Sequence, residues 1–391
     1  GAYGGGGSEP LYFRPPVKAP SGFDPVLSIG LPGQAEVLRG WTFGVNGSVS
    51  YDSNVRRTSG GGGGDDGDVV STVDLVATYR SPGESLWYSG SVRLGYSTYS
   101  NESSFNGFNY GLDGSAGYSG ARLTTVLGLS LTFDRGGNHY FNDFTEQLRL
   151  TGNLSASYRI SPKTSLTGSL STDLMNPETE AGTGDRTGEL QARLGADWQA
   201  TMRTNLGAGL SWSQDGGQNH TTRNSFGPYM NVGYEASQKV SLNARFGIET
   251  ASYDVAGADD DIDYEVNISA NYKANDIWGM SLSVYAGTDA DGTTPGAYRD
   301  SVSVQAGYNR KILDYALELT AGWTRSDQFQ PVSFGPSIDT GVEDYLSFDA
   351  SLSRPIPVIR GVGSVFLGYS DQLGGDGFES FRFGVNVGTS F

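Results

Sequence analysis

The feature that most constrains this chain is an alternation with period two that runs from Trp41 to Phe391. Segments of roughly 10–15 residues place apolar side chains at every second position and small or polar side chains between them. Residues 381–391 show the pattern, with Phe, Val and Thr at the odd positions and Arg, Gly, Asn and Ser at the even ones. Because successive side chains point to opposite faces of a β-strand, such segments predict strands with one apolar and one polar face.

The alternating segments number about eighteen, with about sixteen as the nearest alternative count. Clusters of Gly, Asp, Asn, Pro and Ser separate them, and no helical period interrupts them. The sequence therefore predicts an all-β chain. The predicted strands cover residues 41–57, 68–80, 85–100, 107–118, 122–134, 146–160, 164–175, 187–199, 204–214, 224–236, 239–254, 262–273, 277–288, 298–310, 313–326, 343–354, 361–372 and 377–391.

The connections between these strands alternate in length. Short turns such as 81–84 and 161–164 are followed by longer polar loops such as 215–223. Short turns at one rim and long loops at the other are typical of an up-and-down antiparallel barrel that crosses a membrane. The long loops 135–145 and 327–342 are candidates to fold into the barrel and narrow it.

Aromatic side chains on the apolar register gather beside the short turns. In an up-and-down barrel these positions form one ring on the outer surface, and rings of Tyr and Trp are typical of the headgroup level of a bilayer. A second set of aromatic residues lies near the long loops. The predicted girdle beside the short turns consists of Tyr79, Tyr88, Tyr118, Tyr158, Trp198, Tyr234, Tyr272, Trp278, Tyr308 and Tyr315.

Composition excludes several classes of function. The chain has no Cys, which removes disulfide scaffolds, thiolate metal sites and cysteine nucleophiles. Its 43 acidic and 26 basic residues give a net charge of −17, whereas a nucleic-acid surface needs clustered Lys and Arg. No apolar run approaches the roughly 20 residues of a membrane helix.

Residues 1–40 differ from the rest of the chain. They are rich in Gly and Pro, and proline removes donors from a β-ladder, so this segment is predicted to be an extended arm rather than a strand. It could serve as a periplasmic tail or fold into the barrel as a plug. Its opening, which lacks a signal peptide, is expected of a mature form. The predicted domains are therefore an arm at 1–40 and a transmembrane β-barrel at 41–391.

The alternating strands and the closing stretch 381–391 resemble the outer-membrane β-barrel proteins of bacteria, in the size class of porins. The closing stretch, with aromatic Phe391, is similar to the assembly signal that their barrel-assembly machinery reads. Residues 49–55 resemble a loosely defined porin group whose members often occur beside exopolysaccharide genes. The resemblance implies residence in the outer membrane, contact with its lipid and lipopolysaccharide, and a homo-oligomer, a trimer by analogy.

The polar register of a closed barrel faces inward, and about eighteen strands leave room for an aqueous channel. Charged residues on that register bias permeation through their local potential, and their acidic excess predicts a mild cation preference. Alternatively, the charges pair across strands and hold the barrel in shape. The predicted pore-lining residues are Arg93, Arg149, Arg193, Arg245, Arg299, Arg382, Asp74, Asp173, Asp197, Glu235, Glu249, Glu265, Glu318 and Asp349.

Two acidic clusters and two histidines are the remaining candidates for chemistry. Carboxylate clusters can bind Ca²⁺ or Mg²⁺ from loops, or they can simply be solvated. Both histidines, His139 and His220, lie in predicted outer loops without a recognisable nucleophile, so no enzyme activity and no further cofactor are predicted. The acidic clusters consist of Asp65, Asp66 and Asp68, and of Asp259, Asp260 and Asp261.

The sequence thus favours a porin that forms a water-filled channel for passive diffusion of small hydrophilic solutes or ions. The alternative is a structural or export barrel that anchors a surface layer or exopolysaccharide machinery. In that alternative, residues 1–40 would bind a periplasmic or surface-layer partner.

Overall fold

The computed structural model describes residues 40–391 except 56–66, 82, 84, 139–142, 180–185, 218–220, 256–257, 259, 276, 291–296, 332–337 and 374–377. Of the predicted arm at residues 1–40, Gly40 begins the first strand, and residues 1–39 lie outside the described residues. So do both histidines and three of the acidic loop residues, namely His139, His220, Asp65, Asp66 and Asp259.

The described chain is almost entirely β-strand, as the alternation predicts. The eighteen strands are β1 (Gly40–Asp52), β2 (Asp68–Ser81), β3 (Leu86–Tyr99), β4 (Gly107–Ser119), β5 (Leu123–Asn138), β6 (Asp143–Ser161), β7 (Thr164–Thr179), β8 (Thr187–Gln199), β9 (Thr204–Gly217), β10 (Arg223–Ser237), β11 (Val240–Tyr253), β12 (Asp261–Lys273), β13 (Trp278–Ala290), β14 (Tyr298–Ile312), β15 (Tyr315–Gln330), β16 (Ile338–Ile356), β17 (Gly361–Leu373) and β18 (Glu379–Ser390). Two short 3₁₀ turns, Ser103–Phe105 and Pro357–Ile359, complete the described elements.

The strands form one closed sheet. Each strand pairs antiparallel with its neighbours in sequence, and β1 pairs with both β2 and β18. The closing register runs from Gly44 opposite Ser390 to Asp52 opposite Arg382. Each described strand is therefore paired on both sides, which protects the backbone groups that an edge strand would expose. The predicted barrel of eighteen strands, rather than sixteen, is confirmed.

Strand bounds agree closely with the predictions at the short-turn rim, and β8 agrees at both ends. At the other rim the strands continue into segments predicted as loops. The predicted eyelet 135–145 is mostly ladder, because β5 runs on with Arg135 opposite Glu146. Much of 327–342 likewise belongs to β15 and β16. These segments continue the wall instead of crossing the barrel, so the eyelet prediction is wrong for their described residues.

The two faces of the wall differ in chemistry. Large apolar side chains such as Leu75, Leu194 and Val385 are exposed on the outer face, whereas the opposite register buries polar residues such as Ser211 and Asn386. This reverses the usual arrangement in which apolar groups are inside, and it matches a barrel with a polar interior and an apolar surround. Among the described residues, no helix is both long and apolar enough to cross a membrane.

A small apolar cluster lies at the long-loop end. Val55, Phe105 and Phe144 are buried together, and they pack against Val70 and Tyr99 on the inward register of β2 and β3. The rings of Phe105 and Phe144 are stacked with their centres 3.8 Å apart. Because Phe144 belongs to β6, the cluster ties this strand to β2 and β3 at the mouth of the barrel.

One side of the barrel is folded inward. Cα atoms of β13 lie within 8 Å of Cα atoms of β9 and of β8. In a circular barrel of this strand number, strands four or five positions apart would be separated by more than about 20 Å. Strands β8 to β13 therefore fold towards each other, and we refer to them as the lobe.

Candidate functional site: the inner wall

The predicted pore-lining residues all lie on the register opposite the exposed apolar one. Several of them pair with each other or with a second inward-facing residue. Arg149 binds Asp173 through two hydrogen bonds of 3.0 and 2.5 Å. Arg93 binds Asp134 at 2.8 Å, which is a partner that the sequence reading did not name. Ion pairing across strands is therefore widespread on this wall.

In most of these pairs outside the lobe, the carboxylate is more exposed than the guanidinium. Asp349 is 57% exposed whereas its partner Arg382 is 15% exposed, and Glu343 is 35% exposed against 8% for Arg299. Among the inward-facing pairs, that of Arg149 and Asp173 is the exception. Exposed carboxylates in front of covered guanidinium groups present a negative potential to the lumen.

Other acids add to this potential. Asp113 on β4, which the sequence reading missed, is exposed on the inward register and accepts hydrogen bonds from Ser91 at 3.1 Å and Ser130 at 2.6 Å. Glu235 and Glu318 are exposed on the same register near the short turns. Asp74 is instead 3% exposed, close to Gly95.

An ion pair crosses the inside of the lobe. Nη2 of Arg193 on β8 lies 2.6 and 2.7 Å from the two carboxylate oxygens of Glu265 on β12. Three strands separate these residues along the wall, so the contact joins two parts of the wall that face each other. The side chain of Arg193 is only 3% exposed.

A second charged group lies towards the long-loop end of the lobe. Arg223 on β10 binds Asp215 on β9 at 2.7 Å and also binds Asp263 on β12. Sequence reading placed Asp215 and Arg223 in a loop, whereas the structure pairs them within the β-ladder between β9 and β10. Arg223 and Asp215 are buried and Asp263 is only 11% exposed, so each charge is compensated inside the lobe.

Glu249 on β11 is buried between two hydroxyl groups. It accepts a hydrogen bond from Ser211 and a second, of 2.5 Å, from Ser225. Ser213 and Ser225 share a further hydrogen bond of 2.7 Å. The short, uncharged side chains on β9 and β10 thus supply hydrogen bonds without filling the space that the lobe needs to fold.

Glycine makes the close approach possible. Gly195, Gly209, Tyr229, Gly247 and Glu265 are successive cross-strand neighbours from β8 to β12. A Cβ atom on Gly209 would lie 2.7 Å from Cα of Gly195 and 2.7 Å from the hydroxyl of Tyr229. Glycine in a strand interior often marks a bend or a close backbone approach, and here it allows Tyr229 to lie flat on the wall.

Tyr229 also holds its neighbours in place. The guanidinium carbon of Arg245 lies 5.5 Å from the centre of the Tyr229 ring, within the range of a cation–π contact. One row nearer the short turns, Asn231 donates a hydrogen bond of 2.9 Å to Asp197. Arg245 and Asp197, both predicted to line the pore, therefore belong to the lobe and contact its own residues.

Aromatic residues cover the long-loop end of the lobe. The hydroxyl of Tyr298 donates a hydrogen bond of 2.6 Å to the carbonyl oxygen of Thr221, although 77 positions separate them. The Tyr298 ring contacts those of Tyr253 and Phe329, with centres 5.3 and 6.0 Å away. These contacts join the start of β14 to the connection between β9 and β10.

Asp68, one of the candidate metal ligands, has a structural role. It is 1% exposed, and its oxygens accept hydrogen bonds from the backbone N–H groups of Ser100, Asn101 and Glu102 at 2.8–3.0 Å. It thereby anchors the connection between β3 and β4. Asp261 accepts a bond from its neighbour Ile262. Within the described ranges, no group of three or more His, Cys, Asp or Glu side chains is arranged to hold a metal ion.

The predicted aromatic girdle lies on the outer face along the short-turn rim, where seven of its ten members are strongly exposed: Tyr88, Tyr118, Tyr158, Trp198, Tyr234, Tyr272 and Tyr315. Neighbouring rings are in contact. The ring centres of Tyr79 and Tyr88 are 5.8 Å apart, and those of Trp278 and Tyr272 are 5.2 Å apart. Phe391 pairs with Phe43 through two backbone hydrogen bonds of 2.9 and 3.0 Å.

Among known proteins, this chain is similar only to solved structures. No family model matches the chain, and no curated protein matches it. The outer membrane protein OpdK from Pseudomonas aeruginosa is 14% identical, with 90% of this chain and 99% of that chain covered and a TM-score of 0.45. The FrpB iron transporter from Neisseria meningitidis is 10% identical, with 91% and 82% covered and a TM-score of 0.44. Because similarity at this level carries no information on solute or mechanism, function follows from the chain's own geometry.

Proposed function

We propose that this protein is a channel of the bacterial outer membrane through which small hydrophilic solutes or ions diffuse passively. One observation carries the proposal: a closed wall of eighteen strands has an apolar outer face and a charged, hydroxyl-rich inner face. The apolar face is stable only in an apolar surround, and the polar face only where water or polar groups meet it.

The size of the barrel supports a water-filled path. Barrels of about sixteen to eighteen strands leave space inside that side chains cannot fill. The lobe takes up part of that space, and the remaining twelve strands, β14 to β18 and β1 to β7, enclose the rest. On those twelve strands the inward side chains include the exposed carboxylates Asp113, Glu318 and Asp349.

Charge on this open side favours cations. Carboxylates are more exposed than the guanidinium groups they pair with at Asp349 and Glu343. A permeating cation would therefore meet the negative group first, whereas an anion would be repelled before it reached the covered arginine. This supports a mild cation preference and no chemical step.

The test is single-channel conductance of the purified, folded protein in a planar bilayer, with the reversal potential measured under a KCl gradient. We expect stable current steps and a potential whose sign reports cation preference. An anion preference would refute the selectivity and leave the channel intact. Silence both from the folded full-length protein and from a folded variant without residues 1–39 would contradict the channel itself.

The alternative, a structural or export barrel, predicts that silence. Deletion of residues 1–39 distinguishes a channel that is plugged by the arm from a barrel with an anchoring role. Current steps that appear only after the deletion would identify the arm as a plug. Continued silence, together with loss of a bound periplasmic or surface-layer partner, would favour the anchoring role.

A further inference from the structure

We propose that the lobe, β8 to β13, is a closed and non-conducting part of the barrel and that the ion pair of Arg193 with Glu265 is the latch that keeps it closed. Solutes then pass only between the lobe and the wall formed by the other twelve strands. This proposal rests on the proposed channel function, and its test is arranged so that the two can fail separately.

The latch joins opposite parts of the wall. Arg193 and Glu265 are separated by β9, β10 and β11, and both carboxylate oxygens of Glu265 lie within 2.7 Å of one guanidinium nitrogen. An ion pair between two adjacent strands would constrain only those two strands. This one fixes the distance between β8 and β12 and thereby the fold of the whole lobe.

The wall beneath the latch is shaped to close. Tyr229 lies against Gly195 and Gly209, where any larger residue would collide with its hydroxyl. Backbone of β13 approaches β8 and β9 within 8 Å between Cα atoms, which leaves no width for a hydrated ion to pass between bulky side chains. The close packing of the backbone and the ion pair thus both favour the closed lobe.

Several charged groups inside the lobe have fixed partners within it. Arg223 is compensated by Asp215 and Asp263, and Glu249 is bound by two serine hydroxyls. A cavity of about 60 Å³ beside Arg223, Glu249 and Glu265 has room for a few water molecules. A conducting path needs groups that can exchange partners with the permeating ion, and these groups already have fixed partners.

The long-loop end of the lobe is covered as well. Tyr298 is 1% exposed, binds the carbonyl of Thr221 and contacts the ring of Tyr253. A solute arriving at this end meets packed aromatic rings rather than an opening. The lobe is thus restricted both along its length and at its mouth.

The chain has no Cys, which allows a direct test. In the double variant Arg193→Cys, Glu265→Cys, the latch is absent, and a short bismaleimide can replace it with a covalent one. We expect cross-linking within the chain, seen as faster migration of the unfolded protein on a gel. The control pair Arg93→Cys, Glu265→Cys places its thiols on β3 and β12, half the barrel apart, and should not cross-link.

Conductance of the same double variant then tests the latch. Pore diameter grows roughly in proportion to strand number, so a lumen of eighteen rather than twelve strands has about twice the area. We expect the unlinked variant to conduct up to about twofold more than the wild type, and cross-linking to restore the wild-type value. Arg325→Gln breaks an ion pair with Asp344 between the adjacent strands β15 and β16, outside the lobe and on the outward register, and should leave conductance unchanged.

Each outcome decides a separate point. Failure of the two thiols introduced at the latch to react with one linker, in protein shown to be folded by its heat-dependent gel mobility, would overturn the closed lobe. Cross-linking without any change in conductance between linked and unlinked protein would overturn the latch. Cross-linking in a protein that never conducts would refute the channel while the closed lobe stands.

Discussion

Arg193 on β8 and Glu265 on β12 are joined by contacts of 2.6 and 2.7 Å even though β9, β10 and β11 lie between them in the wall. In a closed sheet, hydrogen bonds between neighbouring strands fix the circumference of the barrel, but they do not fix the shape of its cross-section. Contacts across the inside decide which cross-section it adopts. In this barrel they narrow the side formed by β8 to β13.

We expect the buried triad at the long-loop end of the lobe to be a stability determinant. Arg223→Gln leaves Asp215 and Asp263 buried near each other without compensation, and breaking a buried pair in this way costs about 3–5 kcal/mol. Urea titration of the folded fraction, measured by gel mobility, gives the value. The double variant Arg223→Gln, Asp215→Asn should cost less than the sum of its single changes, and simple additivity would argue against direct coupling.

Adding a single methyl group at Gly209 in the lobe should destabilise the protein. Gly209→Ala places a Cβ atom 2.7 Å from both Cα of Gly195 and the hydroxyl of Tyr229, and overpacking of this kind costs about 1–3 kcal/mol. The matched control is Gly233→Ala on β10, whose Cβ atom would meet nothing nearer than 3.4 Å. Equal urea midpoints for the two variants would contradict the close approach.

Asp68 should act through backbone hydrogen bonds and independently of metal ions. Asp68→Asn removes the charge that binds the N–H groups of Ser100, Asn101 and Glu102, and hydrogen bonds to a charged group are worth about 1.5–3 kcal/mol. We expect faster hydrogen exchange at these amides. The difference between wild type and variant should be the same in EDTA and in millimolar Ca²⁺, since a calcium-dependent difference would point to a bound ion.

Tryptophan fluorescence can separate the two faces of the wall. Trp198 is exposed on the outward register of β8, whereas Trp87 lies on the inward register of β3 against Gly117. In single-tryptophan variants, lipids brominated on their acyl chains near the headgroup should quench Trp198 strongly and Trp87 little. Quenching of Trp87 alone would place the lipid on the wrong face and refute the proposed orientation.

Ion selectivity should follow the exposed member of an ion pair. At about 8 Å in water, one charge changes the energy of a passing ion by roughly 0.5 kcal/mol, which is about twofold in permeability. Because the effect has opposite signs for the two ions, Asp349→Asn should lower the ratio of K⁺ to Cl⁻ permeability by about fourfold. Arg382→Gln should raise it by less, because Arg382 is largely covered. A fall in the ratio for both variants would argue against the exposed carboxylate as the source.

Most of the fold could be predicted from the sequence because a β-barrel strand carries its own signal. Alternation identifies the strand, and the turn residues identify its ends, so β8 was bounded correctly at Thr187 and Gln199. The long-loop ends of β5, β9 and β16 were predicted too short. The last residues of β5 and β9 are Arg, Gly, Asn and Asp, so the alternation in these two strands ends before the hydrogen-bonded ladder does.

The lobe could not be predicted in the same way. Its contacts join strands that are not neighbours, so no local pattern reports them, and Arg193 and Glu265 appear in the sequence as two unrelated inward charges. One signal is present in retrospect. Gly195, Gly209 and Gly247 all fall on the inward register, but they form a row only when the pairing of β8 to β12 is known.

Closure of the sheet at β1 and β18 has a kinetic consequence. Ser380 binds Asp52 across 328 positions of the chain, and the entropy of closing a flexible loop of that length is about 5 kcal/mol. Hairpins between sequential strands form without this cost. The pairing of β1 with β18, which we call the seam, is therefore expected to be the slow step of assembly. Until it forms, both β1 and β18 present unpaired backbone groups to which a strand from another copy could add, so the rate of seam formation sets how long the chain is open to aggregation.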